Sequence, residues 1–139
     1  MRTQASRELL ASRPEVWVFV SGPYHLPDWW PGVSGVLPDR RGAAAGARWQ
    51  VVSSNEPTLL RKPESAGTLV VKVSDPPRLF AFHLVAERLD VTVELVASAE
   101  DRTEATVTVE GPWLLAYRRT LARRAVNRLH SLCQTAATL

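Results

Sequence analysis

Between residues 88 and 110 hydrophobic and polar positions alternate almost without a break. Leu89, Val91, Val93 and Leu95 share one parity, with Arg88, Asp90, Thr92 and Glu94 on the other. After the turn AEDRT the pattern resumes, with Ala105, Val107 and Val109 opposite Glu104, Thr106, Thr108 and Glu110. Successive side chains of a strand point to opposite faces, so each run predicts a strand with one buried face. RWQVVSS at 48–54 alternates similarly, and TLVVKVS at 68–74 places Leu69, Val71 and Val73 on one face. LFAFHLVAE at 79–87 is apolar on both parities, which predicts a strand covered on both sides. SDPPR before it predicts a turn, because Pro76 and Pro77 have no N–H for a ladder. Short strands at this spacing, from about 35 to 110, predict an antiparallel meander.

The flanks change period. RELLAS at 7–12 predicts a short first strand. Ser12, Pro14 and Glu15 then form a helix-start signature ahead of VWVFV. The β-branched residues of VWVFV favour a strand, but the cap and proline predict a short helix ended by Gly22-Pro23. Residues 23–34 predict an irregular or short helical segment carrying the pair Trp29-Trp30. Past Gly111-Pro112 the sequence WLLAYRRTLARRAVNRLHSLCQTAATL holds no Gly or Pro. There Leu114, Tyr117, Leu121, Ala125, Leu129 and Leu132 recur every three or four residues, a helical apolar stripe. The predicted order is a strand, short helices, a curved antiparallel sheet and one long C-terminal helix: an α+β fold. A curved sheet with one apolar face needs such a helix to cover it. Space left between helix and sheet becomes a ligand pocket.

Composition narrows the function classes. A chain of 139 residues predicts a single domain over 1–139. No apolar run approaches the ~20 residues of a membrane span. The segment MRTQASRELLASRPE lacks an apolar signal core, so a cytoplasmic location is expected. The single cysteine, Cys133, excludes an internal disulfide and a multi-cysteine metal site; a small buried apolar role is expected for it. Net charge is +3, and 15 of the 17 basic residues are Arg. The densest basic cluster, YRRTLARRAVNR, lacks interleaved stacking aromatics and reads as a solvated helix face, not a nucleic-acid patch. Histidines at 25, 83 and 130 are scattered, and no Gly-rich phosphate loop occurs. Neither a metal nor a cofactor is expected.

Three stretches resemble the START-like helix-grip superfamily (SRPBCC), most closely its polyketide cyclase/dehydrase and lipid-transport group. ASRPEVWVFVSGPYHLPDWWPGV resembles the family's opening, with a Pro-Glu-x-x-Trp helix and a later Trp-x-Pro element. VSDPPRLFAFHL resembles its middle turn, and the closing strand, Gly-Pro and long helix complete the order. EDRTEAT departs from the family's Gly-Thr-Arg turn by lacking the glycine. The resemblance implies a helix-grip fold, with a sheet wrapped around the C-terminal helix and an elongated apolar cavity between them. It implies binding of a small hydrophobic or aromatic ligand, lipid or polyketide-like. The alternative is a cyclase, aromatase or dehydratase acting on a poly-β-keto substrate. A protein-interaction module, or a homodimer, is a further option.

Within that frame the candidate residues are few. His83 shares a face with Leu79, Ala81 and Val85. It is either an acid/base in the cavity or a hydrogen-bonded histidine on the outer face, because the strand register is open. Tyr117 and Leu121 lie on the helix stripe that would line the cavity, and Tyr117 is the second catalytic candidate. Arg118, with Arg124 and Arg128, flanks that stripe and could meet a carboxylate or enolate. Trp30, beside Pro31, is expected to anchor its segment; Trp29 is the surplus ring that caps the cavity or covers the first helix. His25 and Asp28 flank the pair as weaker candidates, and the facing of Arg48 and Arg61 is open. Asp90, Thr92 and Glu94 are expected to face solvent.

Overall fold

A computed structural model describes residues 1–53, 65–112 and 118–137. The strands are β1 (Arg2–Leu9), β2 (Val33–Pro38), β3 (Arg48–Ser53), β4 (Ser65–Asp75), β5 (Leu79–Leu84), β6 (Leu89–Ala99) and β7 (Arg102–Glu110). The helices are α1 (Arg13–Ser21), α2 (Leu26–Trp29) and α3 (Leu121–Ala137), with 3-10 turns at Pro23–His25 and Arg118–Thr120.

Alternation works as expected in β6 and β7. Leu89, Val91, Val93 and Leu95 are buried beside Ala105, Val107 and Val109. Among the described residues all strand pairs are antiparallel, in the order β1-β7-β6-β5-β4-β3-β2. The meander therefore runs from β2 to β7, and β1 joins its far edge. Because β1 and β2 are opposite edges, the segment carrying α1 and α2 has to cross the width of the sheet. It does so on the apolar face, where Val16, Val20 and Leu26 are fully buried. α3 lies on β1 and β7 and against α2, burying Leu121, Ala122, Ala125, Val126, Leu129 and Cys133. The chain thus has an antiparallel sheet closed over a C-terminal helix, as the pattern predicts.

The local signals hold with physical exceptions. Ser12 is the N-cap of α1, but its side chain makes no capping bond; its carbonyl accepts from the Val16 N–H at 3.0 Å. Pro14 sits at the second helical position and has no N–H, which removes one of the two donors such a cap uses. β1 begins at Arg2, well before the predicted start, because Arg2 to Leu9 pair with Glu110 to Thr103. Val73 does not face inward with Leu69 and Val71. The β4–β5 register shifts between Val71 and Val73, and the bulge leaves Val73 39% exposed. β5 is covered on one face only: Phe80, Phe82 and Leu84 are buried, whereas Leu79, Ala81 and His83 are partly exposed on the outer face. On α3, Cys133 takes the buried position and Leu132 is only half-buried.

An aromatic chain runs through the core. Trp49 stacks on Phe80 with centroids 6.0 Å apart, and Trp17 meets the same ring edge-on at 5.8 Å. Phe80 touches Phe82 at 6.1 Å, and Phe82 meets Trp30 and Trp29 edge-on at 5.7 and 6.2 Å. Such tilted contacts suit the ring quadrupoles and add to area burial.

Candidate functional site

A cavity of about 570 Å³ lies between the N-terminal end of α3 and the middle of the sheet. One wall is the stretch Trp30, Pro31, Gly32 and Val33. The sheet contributes Val51 from β3, Gly67 and Thr68 from β4, and Leu84 from β5. Ala86 and Glu87 come from the β5–β6 turn, Leu89 from the start of β6, and Arg118, Leu121 and Arg124 from the helix side. This volume falls within the ~300–1,000 Å³ typical of small-molecule sites. Among the described residues, its apolar surface comes from aliphatic side chains and one indole, and its charged groups are Glu87, Arg118 and Arg124.

The turn that forms the floor is tightly fixed. Leu84 pairs with Leu89 across it, the Val85 N–H donates to the Thr68 carbonyl at 2.9 Å, and Arg88 adopts φ 56°. Arg118 ties the approach of α3 to this turn, with Nη1 donating to the Glu87 carbonyl at 3.3 Å. Arg118, Leu121 and Arg124 follow at intervals of three, which carries them to one side of the helix start.

The candidates from sequence separate clearly. Leu121, Arg118 and Trp30 line the cavity. Trp29 does not: it is fully buried behind Trp30, with ring centroids 6.0 Å apart. Trp29 thus takes a structural place in the core, and Trp30, the expected anchor, packs on Phe82 and also forms a cavity wall. His83 is on the outer face of the sheet, Nδ1 being 2.9 Å from Asp90 Oδ1, with Lys72 Nζ 3.4 Å from the same oxygen. That is the outer-face alternative, and it removes His83 from the cavity. His25 and Asp28 pair with each other at 3.3 Å, away from the lining. Arg48 is exposed, Arg124 joins the lining, and Arg128 stays outside it. Tyr117 and Arg61 fall outside the described residues.

Gly67 was not singled out from sequence. Val51, directly opposite on β3, is buried, as is Leu69 two residues along, so position 67 belongs to the inward face. Among the described residues a Cβ built there meets only the Ala86 Cβ, at 3.8 Å, and its φ is not positive. No backbone demand explains the glycine. The available signal was an isolated Gly inside a strand pattern, which marks a bulge or a close approach.

Cys133 is buried, and burial, with a smaller contribution from Glu15, pushes its thiol pKa from 9.0 up to about 11. At pH 8 its thiolate fraction is then about 100-fold below that of an ordinary cysteine, and burial further limits attack. Ellman's reagent should therefore label the folded protein at least about 100-fold more slowly than protein unfolded in guanidinium. Rapid stoichiometric labelling of the native protein would contradict this inert role.

No family model matches this chain, and no curated protein matches it either. Solved structures do. The di-domain ARO/CYC protein BexL, of the BE-7585A biosynthetic pathway, superposes with TM-score 0.77 at 13% identity, over 100% of this chain and 48% of that one. A START superfamily protein from Mycobacterium smegmatis superposes with TM-score 0.72 at 13% identity, over 97% of this chain and 98% of that one. The fold is the START-like helix grip. The Aha1 dimer from Colwellia psychrerythraea shares it too, with TM-score 0.65 at 12% identity over 97% and 95% of the two chains. This chain spans about half of BexL, corresponding to part of a di-domain protein. At these identities the likeness establishes a helix-grip architecture; the chemistry has to be argued from the cavity.

Proposed function

We propose that this helix-grip domain binds a small hydrophobic or aromatic molecule in the cavity between sheet and α3. The observation that carries the reading is the cavity of about 570 Å³ walled by Trp30, Leu84, Leu89 and Leu121, above a strand whose inward side chain is missing at Gly67. Well-packed interiors leave few voids larger than a water molecule, so space of this size argues for an occupant. Apolar contacts supply affinity without direction, which suits a lipid or polyketide-like body.

A second reading, catalysis on a poly-β-keto-type substrate, draws support from the likeness to BexL. In it the cavity would hold a flexible chain in a productive bend. His83 would take no part, since it lies on the outer face of the sheet.

A thermal-shift panel of medium-chain aliphatic and naphthalene-sized aromatic compounds tests binding, with native mass spectrometry for stoichiometry. A ligand present at 100 times its Kd adds about 2.7 kcal/mol, a rise of several degrees in Tm. His83→Ala should leave these shifts unchanged. If no compound in either class raises Tm or appears bound, the cavity is not a ligand site.

A further inference from the structure

The charge of this chain is unevenly distributed. All 14 acidic residues and 12 of the 17 basic residues precede residue 111, so that part is net −2. The last 29 residues carry Arg118, Arg119, Arg123, Arg124 and Arg128 and no acidic residue. Four of these arginines cluster around the start of α3, whose first turn has no acidic residue. A helix N-terminus carries partial positive charge, so cations there are placed against the dipole. Local rules broken in this way tend to mark functional sites.

Two of the four, Arg118 and Arg124, line the cavity together with Leu121. Arg124 is exposed and forms no ion pair among the described residues, so it stands at the solvent side of the lining. Glu87 also lines the cavity and offsets one of the two charges, and its backbone carbonyl accepts from Arg118 Nη1 at 3.3 Å. Among the described residues, the charged end of the cavity is therefore net positive and faces a body of Trp30, Leu84, Leu89 and Leu121.

We infer that the ligand is an amphiphile bearing a carboxylate, its apolar body against Trp30 and Leu121 and its carboxylate held by Arg124 with Arg118. This rests on the reading of the cavity as a hydrophobic ligand site and names the ligand class. A guanidinium presents a planar fork of N–H donors that matches a carboxylate, and charge-assisted bonds of this kind are shorter and stronger than neutral ones. The anion also relieves the repulsion among the clustered arginines and complements the helix start.

The test compares matched pairs, decanoate with decan-1-ol and 2-naphthoate with 2-acetylnaphthalene, by quenching of tryptophan fluorescence at low ionic strength. The two pairs separate aliphatic from aromatic bodies. At least one acid should bind about tenfold or more tightly than its neutral partner, equivalent to about 1.4 kcal/mol. Arg124→Gln should reduce that preference to about threefold or less and leave the neutral compound's affinity unchanged, which also reports that the cavity remains folded. The Arg119→Gln/Arg123→Gln variant removes two charges from outside the lining and should keep the preference. Equal affinity for acid and neutral compound in the wild type overturns the carboxylate assignment while leaving the cavity reading intact. Loss of preference in the Arg119/Arg123 variant to the same extent as in Arg124→Gln overturns it as well, attributing the effect to general charge. Binding of neither member of either pair overturns the cavity reading and this assignment together.

Discussion

Trp29→Ala is expected to cost about 3–5 kcal/mol of folding stability. The residue is fully buried, packed edge-on against Trp30 at 6.0 Å and Phe82 at 6.2 Å. It ends α2, a helix of four residues. A helix that short has no stability of its own and exists only through packing. Leu26 and Trp29, three apart, are the fully buried residues that hold it to the core. Removing the indole therefore leaves a large void and also releases the wall that carries Trp30. For a domain of this size the loss corresponds to roughly 10–20 °C in Tm, measured by circular dichroism. Trp29→Phe should cost much less. The indole Nε1 is buried without a hydrogen-bond partner among the described residues, so its deletion relieves a desolvation penalty that offsets part of the lost packing. A fall of less than about 5 °C for Trp29→Ala would show that α2 is held by something else.

The placement of the two tryptophans shows where the sequence stops being informative. Adjacent residues in a helix point about 100° apart, so the facing of each ring depends on where the helix ends. Here it ends between them: Trp29 is helical, and Trp30 is already extended at φ −87°, ψ 122°. Nothing in HLPDWWPGV fixes that boundary to one residue.

His83 was more legible than it first looked. β5 is apolar on both parities, so its own pattern cannot orient it. The orientation comes from β6, whose inward residues are odd-numbered, and from the four-residue turn 85–88 between them. With Leu84 opposite Leu89, His83 falls opposite Asp90 and faces outward. Loop length and a neighbour's clean alternation thus decide what the strand's own composition leaves open. The meander, the covering helix and the bulk of the core were readable because β4, β6, β7 and α3 carry strong periodicity. The bulge at Val71–Val73 was not, since a single inserted residue leaves no mark on an apolar run.

Gly67→Phe is expected to reduce ligand affinity by about 100-fold or more while leaving the protein folded, the phenyl ring occupying the space a ligand would fill. Ordinarily a large residue forced into a core is destabilising, because it displaces packed neighbours. Here, among the described residues, the neighbour a Cβ would meet is Ala86 Cβ, at an ordinary 3.8 Å, and position 67 lines the cavity. Phenylalanine also favours a strand where glycine weakens one, so Tm should stay level or rise by a few degrees. Gly67→Ala adds one methyl group and should keep affinity within about threefold, separating the filling of space from the loss of glycine itself. Calorimetric titration and a thermal melt on the same samples give both readings. Unchanged affinity in a folded Gly67→Phe protein would mean that ligands bind elsewhere. A protein that unfolds on Gly67→Phe but not on Gly67→Ala would mean that the space above β4 closes in solution, and the absent side chain at position 67 would then serve packing and not a ligand.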